Sequence, residues 1–253
     1  MESIYGLFVI LSTLVFVLTF IWLWKASKYS MLSGIGFLMG AWIVFIVGSR
    51  ICHYLTNSNQ YQTGELSLVS LEWTGFSLYG GIILVALYTY IWSKYMNISI
   101  WYISDYVCGA FGVGFITMRF GCYLNGCCFG KPLSGLWGKT YGFLSYSHVI
   151  QHQKYNNLFP LSVHPTQVYE IIFTIIGMGI GYVIWQKYKS EGIYAFVFSI
   201  IFTLGRLINL YFREPLPNSM YHQSMFMLYP AIIFILVVGW INKMKRNKLD
   251  KHV

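Results

Sequence analysis

Arg119 stands where a long hydrophobic run ends, in Met118-Arg119-Phe120-Gly121-Cys122-Tyr123-Leu124-Asn125-Gly126-Cys127-Cys128-Phe129-Gly130-Lys131-Pro132. A guanidinium at the edge of a bilayer is costly unless an anion accompanies it, either a carboxylate or a phosphate. Asn125, Gly126 and Gly130 behind it offer backbone that a ligand approaches closely. The stretch therefore reads as a place to hold a lipid headgroup. Arg206 lies inside a second apolar run, and Arg213 follows seven positions later, a spacing that shares one helical face. Planar forks on Arg119, Arg206 and Arg213 suit bidentate phosphate binding. The competing reading is interhelical pairing with Glu170 or Asp105, with Arg213 snorkelling to the surface.

A second group of polar side chains follows in His164-Pro165-Thr166-Gln167-Val168-Tyr169-Glu170. Locally this is a good helix start, with Pro165 in the first turn, Thr166 as a cap and Glu170 near the positive end of the helix dipole. The same heptapeptide also supplies an imidazole, an amide, a phenol and a carboxylate, a set able to orient a headgroup or move a proton. Five cysteines are present, Cys52, Cys108, Cys122, Cys127 and Cys128. Cys108 reads as core packing. Cys122, Cys127 and Cys128 form a Cys-x4-Cys-Cys cluster open to three readings: a disulfide within the turn, a redox or thiol role, or a soft metal. Its spacing is unlike the paired spacings of structural zinc sites. Gly80 and Gly81 permit close approach of a helix or a lipid chain, and Tyr79 before them is an interfacial aromatic.

These groups need elements to position them. With 57% apolar, 19% aromatic and 10% charged residues, the chain departs from a soluble domain, in which about a quarter of residues are charged. Seven apolar runs approach the ~20 residues that span a bilayer: Ile4–Trp24, Met31–His53, Phe76–Trp92, Ile98–Met118, Val168–Trp185, Ile193–Tyr211 and Met225–Ile241. The expectation is an all-α integral membrane protein, one polytopic domain over residues 1–253. The first run is too long for a signal peptide and its basic residues follow it, so it reads as a retained helix. Lys25, Lys28, Lys94, Lys187, Lys189, Lys243, Lys245, Arg246, Lys248 and Lys251 all fall on one side if the N-terminus is outside and the C-terminus cytoplasmic, as the positive-inside rule requires. The +9 net charge then reflects topology and anionic lipid, not nucleic acid. Two long connections, about 54–75 and 119–167, lie on the outer face, and long loops of this kind are usually functional.

Four pieces together resemble the prolipoprotein diacylglyceryl transferase family of bacterial inner membranes. They are Phe76-Ser77-Leu78-Tyr79-Gly80-Gly81; Ser104-Asp105-Tyr106 leading to Arg119-Phe120-Gly121, Asn125-Gly126 and Gly130; His164 to Glu170; and Gly205-Arg206 with Tyr211-Phe212-Arg213-Glu214-Pro215. The resemblance implies transfer of a diacylglyceryl group from phosphatidylglycerol to the lipobox cysteine of a secreted lipoprotein precursor, with release of glycerol phosphate. It implies no metal and no organic cofactor. It matches Arg119 and Arg206 to the arginines that bind and activate the phospholipid, and Asn125, Gly130, Tyr169 and Glu170 to signature positions. Fixed guanidinium donors would stabilise the charge that gathers on the departing phosphate.

The chain also departs from that family. Tyr79 stands where a histidine usually precedes the Gly-Gly pair as the base for the thiol proton. Cys122 replaces an asparagine, Cys127 replaces a glutamate, and Leu210 occupies a usually acidic position. A phenol with a reference pKa near 10 is a poor base at neutral pH, which leaves Tyr79 a headgroup-orienting role and His164 as a substitute base. The expected site is thus Arg119, Arg206, Tyr79 and His164 for chemistry. Asn125, Gly126, Gly130, Gly80, Gly81, Gln167, Tyr169, Glu170 and Arg213 would bind substrate. A diverged paralogue using Cys127 and Cys128 on another thiol acceptor, and a non-catalytic protein that binds anionic lipid or carries a small anion, are the alternatives.

Overall fold

Long apolar runs with few breakers leave the backbone one economical solution in lipid, the helix, which satisfies its own hydrogen bonds. The computed structural model describes residues 2–56, 78–135, 137–143, 145–156, 158–214 and 221–249. Among them run eight helices: α1 (Glu2–Lys25), α2 (Met31–Thr56), α3 (Leu78–Tyr95), α4 (Ile100–Asn125), α5 (Tyr146–Tyr155), α6 (Thr166–Tyr188), α7 (Ile193–Phe212) and α8 (Tyr221–Leu249). Two short strands, β1 (Lys139–Thr140) and β2 (Ser162–Val163), pair antiparallel.

Six of the described helices, α1, α2, α4, α6, α7 and α8, are long and apolar enough to cross a membrane. Leu7, Trp22, Ile83, Val183 and Phe234 are each more than 60% exposed, the apolar surface that lipid covers. Of the run expected over Phe76–Trp92, the described part from Leu78 lies in α3, whose 18 described residues measure about 27 Å at 1.5 Å per residue, close to a ~30 Å hydrocarbon core. The outer connection expected over 54–75 lies almost wholly outside the described residues.

The chain falls into two compact units, residues 21–104 and residues 1–20 with 105–253. In the first, α2 and α3 meet through glycines. A Cβ on Gly80 would stand 2.2 Å from the Gly48 carbonyl oxygen, and one on Gly81 would stand 2.5 Å from the Phe45 ring. Gly80 and Gly81 therefore serve helix contact, one of the two roles their sequence allows. Tyr79 lies in the first turn of α3, but its side chain is outside the described residues.

In the second unit α4 packs on α1 through Gly121, where a Cβ would reach to 2.3 Å of the Phe8 Cβ. Phe111 and Phe115 of α4 stack edge-on against Phe202 of α7, with centroids 5.4 and 4.9 Å apart. Asp105 accepts hydrogen bonds from the backbone N–H groups of Gly192 (2.7 Å) and Ala195 (2.8 Å). It caps the positive end of α7 from a neighbouring helix and is not the arginine partner that its sequence offered.

Candidate active site

Helix α4 does not stop at Met118. It continues to Asn125, because nothing in Arg119–Asn125 breaks a helix, and it ends at Gly126 with φ +74°. Arg119 and Cys122 are therefore helical residues aimed into the protein, a correction to the expectation of a loop beginning at 119. Arg119 is 5% exposed. Its guanidinium lies 4.7 Å from the centre of the Phe115 ring.

Arg119, Arg206 and Glu170 come together. Arg119 Nε is 2.5 Å from Glu170 Oε2, a close charge contact in which the N–H is not aligned as a hydrogen bond. Arg206 Nη1 donates to Glu170 Oε1, and Arg206 Nη2 donates to the Tyr229 hydroxyl at 3.2 Å. Three helices, α4, α6 and α7, thus deliver two guanidinium groups to one carboxylate that is 4% exposed. The phosphate-clamp and ion-pair readings of the sequence meet at this point, since the two arginines converge and Glu170 is what they hold.

Asn209 is part of the arrangement and escaped the sequence reading. It is 2% exposed and donates Nδ2 to Glu170 Oε1 at 3.0 Å and to the Thr166 carbonyl at 3.3 Å. The signal for it was its place three residues after Arg206, on the same side of the helix. Beside it, Tyr169, Ile172, Phe173, Ile208 and Phe212 line an apolar groove of about 260 Å³ between α6 and α7.

The start of α6 is built differently from its sequence expectation. Pro165 occupies the N-cap with no side-chain cap bond. Thr166 Oγ1 instead donates to the Cys128 carbonyl, and Gln167 Nε2 to the Cys127 carbonyl, each at 2.5 Å. Gln167, expected to touch substrate, is fully buried and pins the cysteine turn. His164 Nδ1 lies 3.1 Å from the Tyr169 hydroxyl. Burial lowers the His164 pKa, and the charge of Lys131 lowers it further, so the imidazole is neutral at pH 7.

Arg213 does not continue the face of Arg206. It is the extended C-cap of α7, with ψ 140°, and pairs by its backbone with Gly130. Gly130 donates to the His164 carbonyl at 2.9 Å and Lys131 to the Phe212 carbonyl at 2.8 Å. One short segment therefore ties the start of α6 to the end of α7, and a Cβ on Gly130 would meet the Phe212 oxygen at 2.6 Å. Helix α5 supports the same end, since Lys154 and Tyr155 both donate to Glu214 Oε1, the tyrosine at 3.0 Å. Asn125 Oδ1 is buried and has no hydrogen-bond partner among the described residues. All five cysteines are free thiols, so the disulfide, one of the three readings of the Cys122, Cys127 and Cys128 cluster, does not form in this structure.

The chain matches the family model described as prolipoprotein diacylglyceryl transferase over residues 3–242. It is 31% identical over 177 residues to the phosphatidylglycerol–prolipoprotein diacylglyceryl transferase of Clostridium tetani, covering 68% of this chain and 66% of that one. Against the protein of the same description from Blochmanniella floridana it is 24% identical over 221 residues, with 78% and 75% covered. Against that from Dehalococcoides mccartyi strain 195 it is 27% identical over 147 residues, which covers 58% of this chain and spans only 52% of the relative's length. With the family match running through all six apolar helices and the helices that carry Arg119, Glu170 and Arg206, the chain belongs to the prolipoprotein diacylglyceryl transferase family and is a multi-pass membrane protein.

Proposed function

We propose that this protein transfers the diacylglyceryl group of phosphatidylglycerol to the lipobox cysteine thiol of a secreted lipoprotein precursor. The convergence of Arg119 and Arg206 on Glu170 is the observation that carries the reading. Two buried guanidinium groups held on separate helices make a preorganised anion site in a medium of low dielectric, where fixed donors act strongly. A phosphate entering between them would take over interactions now made to Glu170. The apolar groove beside Asn209 suits an acyl chain of the donor.

In the reaction, the cysteine sulfur attacks the glyceryl carbon that bears the phosphoester oxygen. A C–S bond forms, the C–O bond breaks, and glycerol phosphate leaves with the electron pair. Arg119 and Arg206 stabilise that leaving charge. The thiol proton goes to His164, neutral and steadied by Tyr169. Asn125 and Arg213 contribute polar groups toward the donor, and Glu170 and Asn209 set the spacing of the arginines. The setting is the bacterial inner membrane, crossed seven times with α3 as the seventh, the N-terminus outside and the catalytic end of the bundle at the outer leaflet.

The test is direct. Full-length protein in detergent with phosphatidylglycerol and a lipobox peptide is expected to add a diacylglyceryl mass to the peptide thiol, and Arg119→Ala or Arg206→Ala to abolish it. A peptide unchanged in mass, beside a relative that modifies it under the same conditions, overturns the proposal.

A further inference from the structure

Three thiols stand together beside the arginine site without a part in the transfer chemistry. The Sγ atoms of Cys122, Cys127 and Cys128 all lie within 4.8 Å of one another. Three sulfurs around one ion at the ~2.3 Å of a zinc–thiolate bond are about 4 Å apart when trigonal, so the spacing fits a single ion with small side-chain adjustments.

The turn that presents them is held in advance. Cys122 is 1% exposed on the last turn of α4, and the Cys127 N–H donates to its carbonyl at 3.2 Å. Cys128 sits at φ +58°, a left-handed conformation that non-glycine residues rarely adopt. It is kept there by the hydrogen bonds from Thr166 and Gln167 to the Cys128 and Cys127 carbonyls, and both donors are buried. Positive charge is at hand, with Arg119 Nη1 3.7 Å from Cys122 Sγ. A thiolate, not a thiol, is the metal ligand.

From this juxtaposition we infer that Cys122, Cys127 and Cys128 form a trithiolate site for a soft d10 metal ion of the Cu(I) type. Soft sulfur ligands select such ions over hard cations. Among the described residues the group is sulfur only, with no imidazole or carboxylate in it. Adjacent cysteines are poor disulfide partners, because Cα atoms about 3.8 Å apart across a trans peptide fall below the ~4.4–6.8 Å that disulfides need. Binding displaces the thiol protons to solvent and requires no oxidant.

The experiment titrates Cu(I) under argon into the reduced full-length protein in detergent, in competition with the chelator bathocuproine disulfonate. One Cu(I) per chain is expected, with a shell of three sulfurs by X-ray absorption. The Cys127→Ser/Cys128→Ser double variant is expected to lose at least the ~10–100-fold in affinity that a lost supporting contact alone costs a metal site. Cys52→Ser/Cys108→Ser is expected to bind as the parent does. The sulfur shell is read on the unaltered protein, so it stands even if the double variant folds poorly. Equal retention of Cu(I) by parent and double variant, a shell of nitrogen or oxygen, or a stoichiometric disulfide among the three cysteines in freshly purified protein would each overturn the inference.

Discussion

Arg119 and Arg206 are candidates for more than charge. Each presents a planar fork, and a phosphate gathers its negative charge over oxygens that a fork meets two at a time. Arg119→Lys keeps the charge and loses the fork, so transfer to a lipobox peptide is expected to fall about 10²–10³-fold, the loss typical of one preorganised donor. Glu170 plays the opposite part. Glu170→Gln leaves Arg119, 5% exposed, without its carboxylate, and breaking a buried pair from one side costs roughly 3–5 kcal/mol. Thermal unfolding in detergent is expected to drop accordingly, and an unchanged midpoint would mean that the arginines do not depend on this carboxylate. His164 supplies a pH test. Its pKa is lowered in the folded protein, first by burial and then by Lys131. The unfolded chain therefore takes up the proton at higher pH than the folded one, and stability is greatest above the ordinary histidine value of ~6.5 and declines as pH falls through the lowered one. Transfer is expected to lose rate over the same acidic range, and His164→Gln to lose both rate and acid limb. An acid limb that persists in the variant would move the base elsewhere. Arg119, Arg206 and Glu170 were all visible as costly charges in apolar runs. Asn209 was not, because an asparagine at a helix face announces nothing until its neighbours are known.

The segment Phe129 to Lys131 fastens the elements that carry the site. It bonds the start of α6 through His164 and the end of α7 through Phe212, and therefore sets how far apart Glu170 and Arg206 stand. Gly130→Ala places a methyl group 2.5 Å from the His164 Cβ and 2.6 Å from a backbone oxygen, neither of which yields without shifting a helix end. Transfer activity and thermal stability are both expected to fall. Gly142→Ala, with nothing among the described residues within 4 Å of the added carbon, is the matched control and is expected to behave as the parent. Helix existence was legible here from apolar runs, and α6, α7 and α8 contain their expected spans. The extension of α4 through Asn125 was misjudged because Arg119 looked like an end, whereas a buried partner keeps an arginine inside a helix at little cost. The cap of α7 by Asp105 was equally out of reach, since it joins residues 87 apart in sequence.

For the whole molecule, basic residues argue for orientation. If ten of the 17 Lys and Arg residues lie on the inner side, a cysteine label placed ahead of Tyr5 in intact cells should react with a membrane-impermeant maleimide, and one placed after Lys245 should not. The reverse pattern would put the arginine site at the inner leaflet, away from a secreted acceptor. A surface on which large apolar side chains are widely exposed, together with six helices of spanning length among the described residues, accounts for the apolar composition of the chain.

By itself the sequence determined the solvent, the helical class and the candidate charges. Each follows from local composition: twenty apolar residues need no partner to specify a helix in lipid, and a charge among them announces that it has a reason. The family's ordered motifs added the expected chemistry. Only the tertiary structure decided which charges meet. Pairing Arg119 and Arg206 with Glu170, turning Arg213 aside at a helix end, pinning Cys127 and Cys128 from α6, and leaving three thiols in one small triangle all depend on the packing of helices distant in sequence. Packing of that kind is set by side-chain shape across an interface, which periodicity along one chain does not record.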